Sequence, residues 1–120
     1  CGGTLHAAYV TDHRRDGGVL AAATRLSAEE GRQVAIRSTL PPVVDPEIDS
    51  AIDWDLAFSI PCALLERHVG PIGPFAGQDW RANFYKCGDR TSHPHWAAWS
   101  PVDALNFHLP HCFGRLRFER

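Results

Sequence analysis

Apolar and polar residues alternate with a period of two along much of the chain, and this alternation is its main structural signal. Ile52, Trp54, Leu56, Phe58 and Ile60 are apolar, while Asp53, Asp55 and Ser59 fall between them. That pattern predicts a half-buried strand with one wet face. The segment from Gln78 to Cys87 reads alike, with Trp80, Ala82 and Phe84 on one face and Arg81, Asn83 and Tyr85 on the other. Leu116 and Phe118 alternate with Arg115, Arg117 and Glu119 in a last short strand. Thr4 to Val10 and Gln33 to Leu40 are weaker candidates, the second with Val34 and Ile36 pointing inward. Val19 to Arg25 reads as a further strand, although its alanines leave a helix open.

One helix is expected between Pro61 and Gly70, with Leu64, Leu65 and Val69 as its apolar stripe. The remaining punctuation is turn chemistry: Asp16-Gly17-Gly18, Pro41-Pro42, Gly70-Pro71, Gly73-Pro74 and Gly88-Asp89. Many short strands between Gly and Pro turns, with one short helix, predict an all-β sandwich or barrel. A chain of 120 residues is one domain on this reading, 1–120.

Composition changes this picture in three places. The formal charge of −2 supplies no basic field for nucleic acid, and no apolar run approaches the about 20 residues that span a bilayer. The chain has no methionine, opens on Cys1 and shows no signal peptide. We therefore expect upstream sequence, and with it N-terminal strands, to be missing. The four cysteines (Cys1, Cys62, Cys87 and Cys112) lie far apart with no CxxC pair, and buried free thiols are the expected reading.

Catalytic motifs find no foothold. Asp53, Asp55 and Asp79 read as exposed strand carboxylates rather than a glycosidase pair, and neither a GxSxG elbow nor a glycine-rich phosphate loop is present. Of seven histidines, His93, His95, His108 and His111 cluster late in the chain beside Cys112. Together they could wrap zinc or copper, but their spacing matches no standard ligand pattern. Capping and loop hydrogen bonds are the expected use, and no metal site is assigned. Aromatics are more informative. Trp54 and Trp80 alternate with core residues and read as packing. Trp96 and Trp99 stand in the proline-bounded stretch His95-Trp96-Ala97-Ala98-Trp99-Ser100-Pro101. An exposed indole face there suits the C–H face of a pyranose, with core packing as the competing role. Arg81, Asn83 and Tyr85 would add polar groups for hydroxyls, against the alternative of a solvated strand face.

The ordered segments Trp80 to Asp89, Ala98-Trp99-Ser100-Pro101 and Phe113-Gly114-Arg115-Leu116-Arg117-Phe118 resemble carbohydrate-binding module family 9 and its relatives. Trp54 to Pro61 and the opening Cys1-Gly2-Gly3-Thr4-Leu5 fit the same pattern. The resemblance implies an antiparallel β-sandwich, jelly-roll-like, that binds oligo- or polysaccharide without catalysis. It also implies an extracellular or periplasmic setting beside glycoside hydrolases. The ligand-binding residues it suggests are Trp99, which matches a stacking tryptophan, with Asn83 and Tyr85 at polar positions; Arg81 and Trp96 complete the expected set. Family domains are longer and carry a second stacking aromatic upstream. No cofactor is expected, and the sequence leaves open a structural calcium. Two other readings stand beside this one: a sandwich that serves as an interaction or structural domain, and a metal- or haem-binding relative, the haem version weakened by the lack of a methionine ligand.

Overall fold

The computed structural model describes residues 4–16 and 19–120. The chain divides into two compact units, Cys1–Ile72 and Gly73–Arg120. Among the described residues all strand pairing is antiparallel, in four two-stranded ladders. This is the all-β, antiparallel, sandwich-type class that the alternation predicts.

The first unit opens with a hairpin of β1 (Ala8–Asp16) and β2 (Val19–Arg25). β2 has the bounds expected from sequence, and its alanines do not make a helix. β1 begins and ends later than the predicted Thr4–Val10 strand. Its register shifts between Val10 and Asp12 and again between Asp12 and Arg15, where the Asp12 carboxylate accepts from the backbone and side chain of Arg14. That local pairing holds the Asp12 carboxyl down to about 2. A one-turn helix α1 (Ala28–Gly31) follows. It was not expected from sequence, although its signal is present. The Ser27 hydroxyl accepts from the Glu30 amide and the Glu30 carboxylate accepts from the Ser27 amide, a capping box readable as Ser-x-x-Glu.

β3 (Ala35–Ser38) pairs with β4 (Leu56–Ser59). Val34 and Ile36 are half-buried, as predicted. β4 is shorter than the expected run from Ile52 to Ile60. The ladder ends where the Thr39 hydroxyl replaces a backbone group, accepting from the Asp55 amide at 2.8 Å. Beyond it Pro41 and Pro42 have no N–H to donate, so the pairing cannot extend. Ile52 and Trp54 therefore lie outside the strand, and Trp54 is exposed rather than packed as expected. Helix α2 (Cys62–Val69) matches the prediction: Pro61 precedes it, and Gly70 closes it at φ 82° with its amide donating to the Glu66 carbonyl. Leu64, 1% exposed, is the deepest apolar side chain described. Around it Leu5, Tyr9, Leu26, Ile36, Phe58 and Leu65 line an apolar cavity of about 440 Å³.

The second unit replaces the single strand expected over 78–87 by two. β5 (Asp79–Ala82) pairs with β8 (Gly114–Arg117), and β6 (Tyr85–Gly88) pairs with β7 (His95–Ala98). The predicted last strand is therefore present, with Leu116 half-buried and Arg115 and Arg117 exposed. Trp80 packs as expected, in a triangle with Phe75 and Phe118 whose ring centroids lie 5.0–5.3 Å apart. The cysteines depart from expectation. Cys62, Cys87 and Cys112 are free thiols, but the first two are exposed and the third half-buried; Cys1 lies outside the described residues.

Candidate functional site

The break between β5 and β6 organises a site in the second unit. Asn83 stands at the break, and its side chain works as a two-way clamp on Ser100. The amide nitrogen donates to the Ser100 carbonyl at 2.9 Å, and the amide oxygen accepts from the Ser100 amide at 2.8 Å. The same oxygen accepts from the Phe84 amide, turning the chain out of the ladder at that point. One residue on, the Trp99 amide donates to the Phe84 carbonyl at 2.9 Å. The backbones that carry Phe84 and Trp99 are thus tied together by four hydrogen bonds.

Because the strand breaks there, alternation restarts out of phase. Phe84 was expected on the core side with Trp80 and Ala82, yet it is 47% exposed. Trp99 is 52% exposed, and the two rings meet at 5.6 Å with planes tilted by 60°. They form an aromatic platform with about half of each surface open to water. Gly114 supports it from below. A Cβ at that position would lie 2.7 Å from the Trp99 ring, so only glycine lets the indole settle on the β8 backbone. Arg81 secures that backbone, with two guanidinium nitrogens donating to the Phe113 carbonyl at 3.1 and 2.7 Å. Its remaining N–H groups stay on an exposed side chain. Of the five residues suggested by sequence, Arg81, Asn83 and Trp99 are brought into one assembly. Phe84 and Gly114 complete it and were missed; Gly114 was quoted only as part of a motif, and Phe84 was hidden by the assumption of one continuous strand.

With this geometry in view, the family model described as carbohydrate-binding family 9 matches residues 10–118. The chain belongs to carbohydrate-binding family 9. Among solved structures it is similar to a candidate carbohydrate-binding protein of Bacteroides uniformis, with 33% identity and a TM-score of 0.69. The likeness covers 86% of this chain and 47% of the other, so the chain spans about half the length of that relative. No curated protein matches it.

Elsewhere in this family 9 chain, the other two expected residues are engaged differently. Tyr85 was placed on the outward face with Arg81, but the restarted alternation turns it inward. Its ring packs on Phe107 at 4.8 Å, and its buried hydroxyl has no hydrogen-bond partner among the described residues. Trp96 is 44% exposed on β7, opposite Cys87, with its indole N–H donating to the Asp89 carboxylate.

Charged groups of the second unit are largely paired. Asp79 at the start of β5 is held below the usual aspartate range by hydrogen bonds from Arg115, aided by Arg117. Asp103 is likewise lowered, first by the hydrogen bond from His111. The Cys87 thiol, although exposed, is raised, chiefly by partial loss of hydration and then by Asp89. The histidine group imagined from sequence comes apart. His93 Nδ1 meets the Ser92 hydroxyl at 2.9 Å, and His95 contacts the His93 carbonyl and Lys86. Among the described residues, only His111 and Cys112 of this group come together as candidate ligands, and they do so around Asp103, which the sequence reading had not considered.

Proposed function

We propose that this chain is a non-catalytic saccharide-binding module whose binding surface is the Phe84–Trp99 platform. The half-open pair of rings carries the reading. A pyranose presents an apolar face of axial C–H groups and an equatorial rim of hydroxyls. A half-exposed indole gives up little structure to cover the first, and the unused N–H groups of Arg81 and Asn83 suit the second. Trp96 on β7 is a further exposed aromatic for a longer chain. Tyr85 takes part through its ring packing, which supports β6, rather than through its hydroxyl. The Bacteroides uniformis relative, a candidate carbohydrate-binding protein, supports the same class of ligand.

The module serves polysaccharide breakdown from an extracellular or periplasmic position, alongside a glycoside hydrolase. Among the described residues no helix is long and apolar enough to cross a membrane. An open, shallow platform gives dissociation constants on the order of micromolar to millimolar. The test is a tryptophan-fluorescence titration with xylo-, cello- and mannooligosaccharides. A saturable change that disappears in Trp99→Ala is the expected result. No response to any of the three series, or one that survives Trp99→Ala intact, rejects the reading.

A further inference from the structure

A second candidate site lies in the same unit, built from the one part of the histidine-rich stretch that converges. Asp103, His111 and Cys112 each offer one ligand atom, and these atoms all lie within 4.8 Å of one another. His111 Nε2 is 2.8 Å from Asp103 Oδ2, and Cys112 Sγ is 3.6 Å from Asp103 Oδ1. The carboxylate thus faces the imidazole with one oxygen and the thiol with the other. His111 and Cys112 are neighbours on a 3-10 turn, Pro110–Cys112. The turn is closed by the Cys112 amide on the Leu109 carbonyl and the Phe113 amide on the Pro110 carbonyl. Between Asp103 and the turn, the Asn106 side chain accepts from the His108 amide at 2.9 Å.

We propose that Asp103, His111 and Cys112 form a three-ligand site for a divalent zinc ion. The donor set decides the ion. One thiolate, one imidazole nitrogen and one carboxylate oxygen suit a borderline-soft cation. Calcium and magnesium require six or more oxygens, and this cluster supplies one carboxylate. Tetrahedral zinc places its ligands about 2.0–2.3 Å from the metal, which separates ligand atoms from each other by roughly 3.3–3.7 Å. The imidazole and carboxylate need only move apart slightly from hydrogen-bonding distance, while the sulfur stands 3.6 Å from the other carboxylate oxygen and within 4.8 Å of the imidazole nitrogen, so small side-chain rotations bring the three together. Binding displaces the thiol proton to solvent and removes the proton from His111 Nε2, leaving a neutral imidazole with its N–H on Nδ1, and the thiolate with the carboxylate then balances the dipositive ion. The fourth position is left to water. Asp103 and His111 are exposed and Cys112 is half-buried, so the ion reaches the site without rearrangement of the fold.

The site makes no use of the aromatic platform and stands or falls separately from the saccharide reading. The test uses the full chain with thiols kept reduced, titrated with cobalt(II) as a spectroscopic substitute for zinc and then with zinc in competition. One equivalent should bind, giving the near-ultraviolet thiolate-to-cobalt charge-transfer band and the intense visible bands of tetrahedral cobalt. Cys112→Ser should abolish the charge-transfer band, and Asp103→Asn and His111→Ala should each weaken binding at least about tenfold. Cys87→Ser and His93→Ala should change neither. On the unaltered chain, zinc should slow alkylation of Cys112 at least about tenfold, while Cys62 and Cys87 react as before. Absence of the charge-transfer band, its survival in Cys112→Ser, or unprotected alkylation of Cys112 in saturating zinc would each overturn the assignment.

Discussion

The two units solve the problem of apolar surface in different ways. In the first, mostly aliphatic side chains from β3, β4 and α2 gather around buried Leu64 and line an open, largely apolar cleft of about 440 Å³, on which Leu56, Phe58 and Val69 stay exposed. Its polar presence is slight: His68 stacks on Tyr9 at 5.3 Å and lies 3.5 Å from the Glu30 carboxylate. In the second, the apolar surface is aromatic, half open, and edged by side chains that still carry hydrogen-bond donors. By volume alone the cavity falls within the usual range of small-molecule sites, about 300–1,000 Å³. Chemistry points the other way. A sugar hydroxyl buried without a partner costs about 1–3 kcal/mol, and among the described residues lining this largely apolar cavity polar side chains come from Thr4, His6, Tyr9 and His68 alone. On the proposed reading, a polar, stackable ligand is better served by flat apolar area beside unspent donors than by apolar volume alone.

Five substitutions probe that contrast, beginning with the largest expected effect. Leu64→Ala, at the bottom of the first unit's core, should lower stability by about 2–5 kcal/mol in urea unfolding. Saccharide binding measured on the folded variant should stay within about twofold, and a larger loss would mean that the cavity contributes to the site. Trp99→Ala should do the reverse. Saccharide affinity should fall roughly thirtyfold, corresponding to about 2 kcal/mol for an exposed aromatic anchor, with little change in the unfolding midpoint. Calorimetry and thermal melts on one sample separate the two effects.

Gly114→Ala sharpens the comparison, because it displaces the platform without removing a ring. With its Cβ 2.7 Å from the Trp99 ring, the indole must tilt or lift. We expect about 1–2 kcal/mol of destabilisation, the lower part of the usual overpacking range because the ring has open space above it. A shifted tryptophan emission maximum should accompany it. An unchanged emission spectrum with unchanged affinity would show that Trp99 does not rest on β8.

The smallest effect is electrostatic and common to both units. Asp12 in β1 and Asp79 in β5 have folded-state carboxyls held below the ordinary 3.8 by their arginine partners. A depressed folded value means that the stabilisation is complete above the ordinary value and disappears as the pH falls. For Asp12 the window runs from 3.8 down to about 2. Thermal midpoints should therefore decline through this acid range, and the decline should be shallower in Asp12→Asn and Asp79→Asn. Both pairs are solvent-exposed, so the difference should be slight and should shrink further in high salt. A midpoint that declines just as steeply in both variants would assign the acid sensitivity to other groups.

Legibility in the sequence followed the length of each pattern. α2, β8 and the inward residues Val34 and Ile36 were readable because local periodicity, a helix-ending glycine and charged flanks pointed to one answer, whereas β2 was bounded correctly but left open between strand and helix. The capping box of α1 was equally local and was overlooked. Strand lengths were misread wherever a polar side chain competes with the ladder. The Thr39 hydroxyl ends β4 early, and the Asn83 amide splits β5 from β6; neither competition shows in an alternation of apolar and polar letters. The same split carried Tyr85 inward and Phe84 outward, since a one-residue change of phase exchanges the faces of everything after it.

What the sequence determined by itself was therefore the class of the fold, which follows from period and turn residues, and, through the resemblance of its ordered motifs, the family; it offered Trp99 as a candidate while leaving core packing open. The tertiary structure decided which residues stand beside that tryptophan. Phe84 and Gly114 reach Trp99 from 15 positions before and after it in the chain, and Asp103 meets His111 and Cys112 only across a folded loop. Such meetings depend on where pairing stops and the chain turns. Those points are set by competition between side-chain and backbone hydrogen bonds, which no single stretch of sequence resolves.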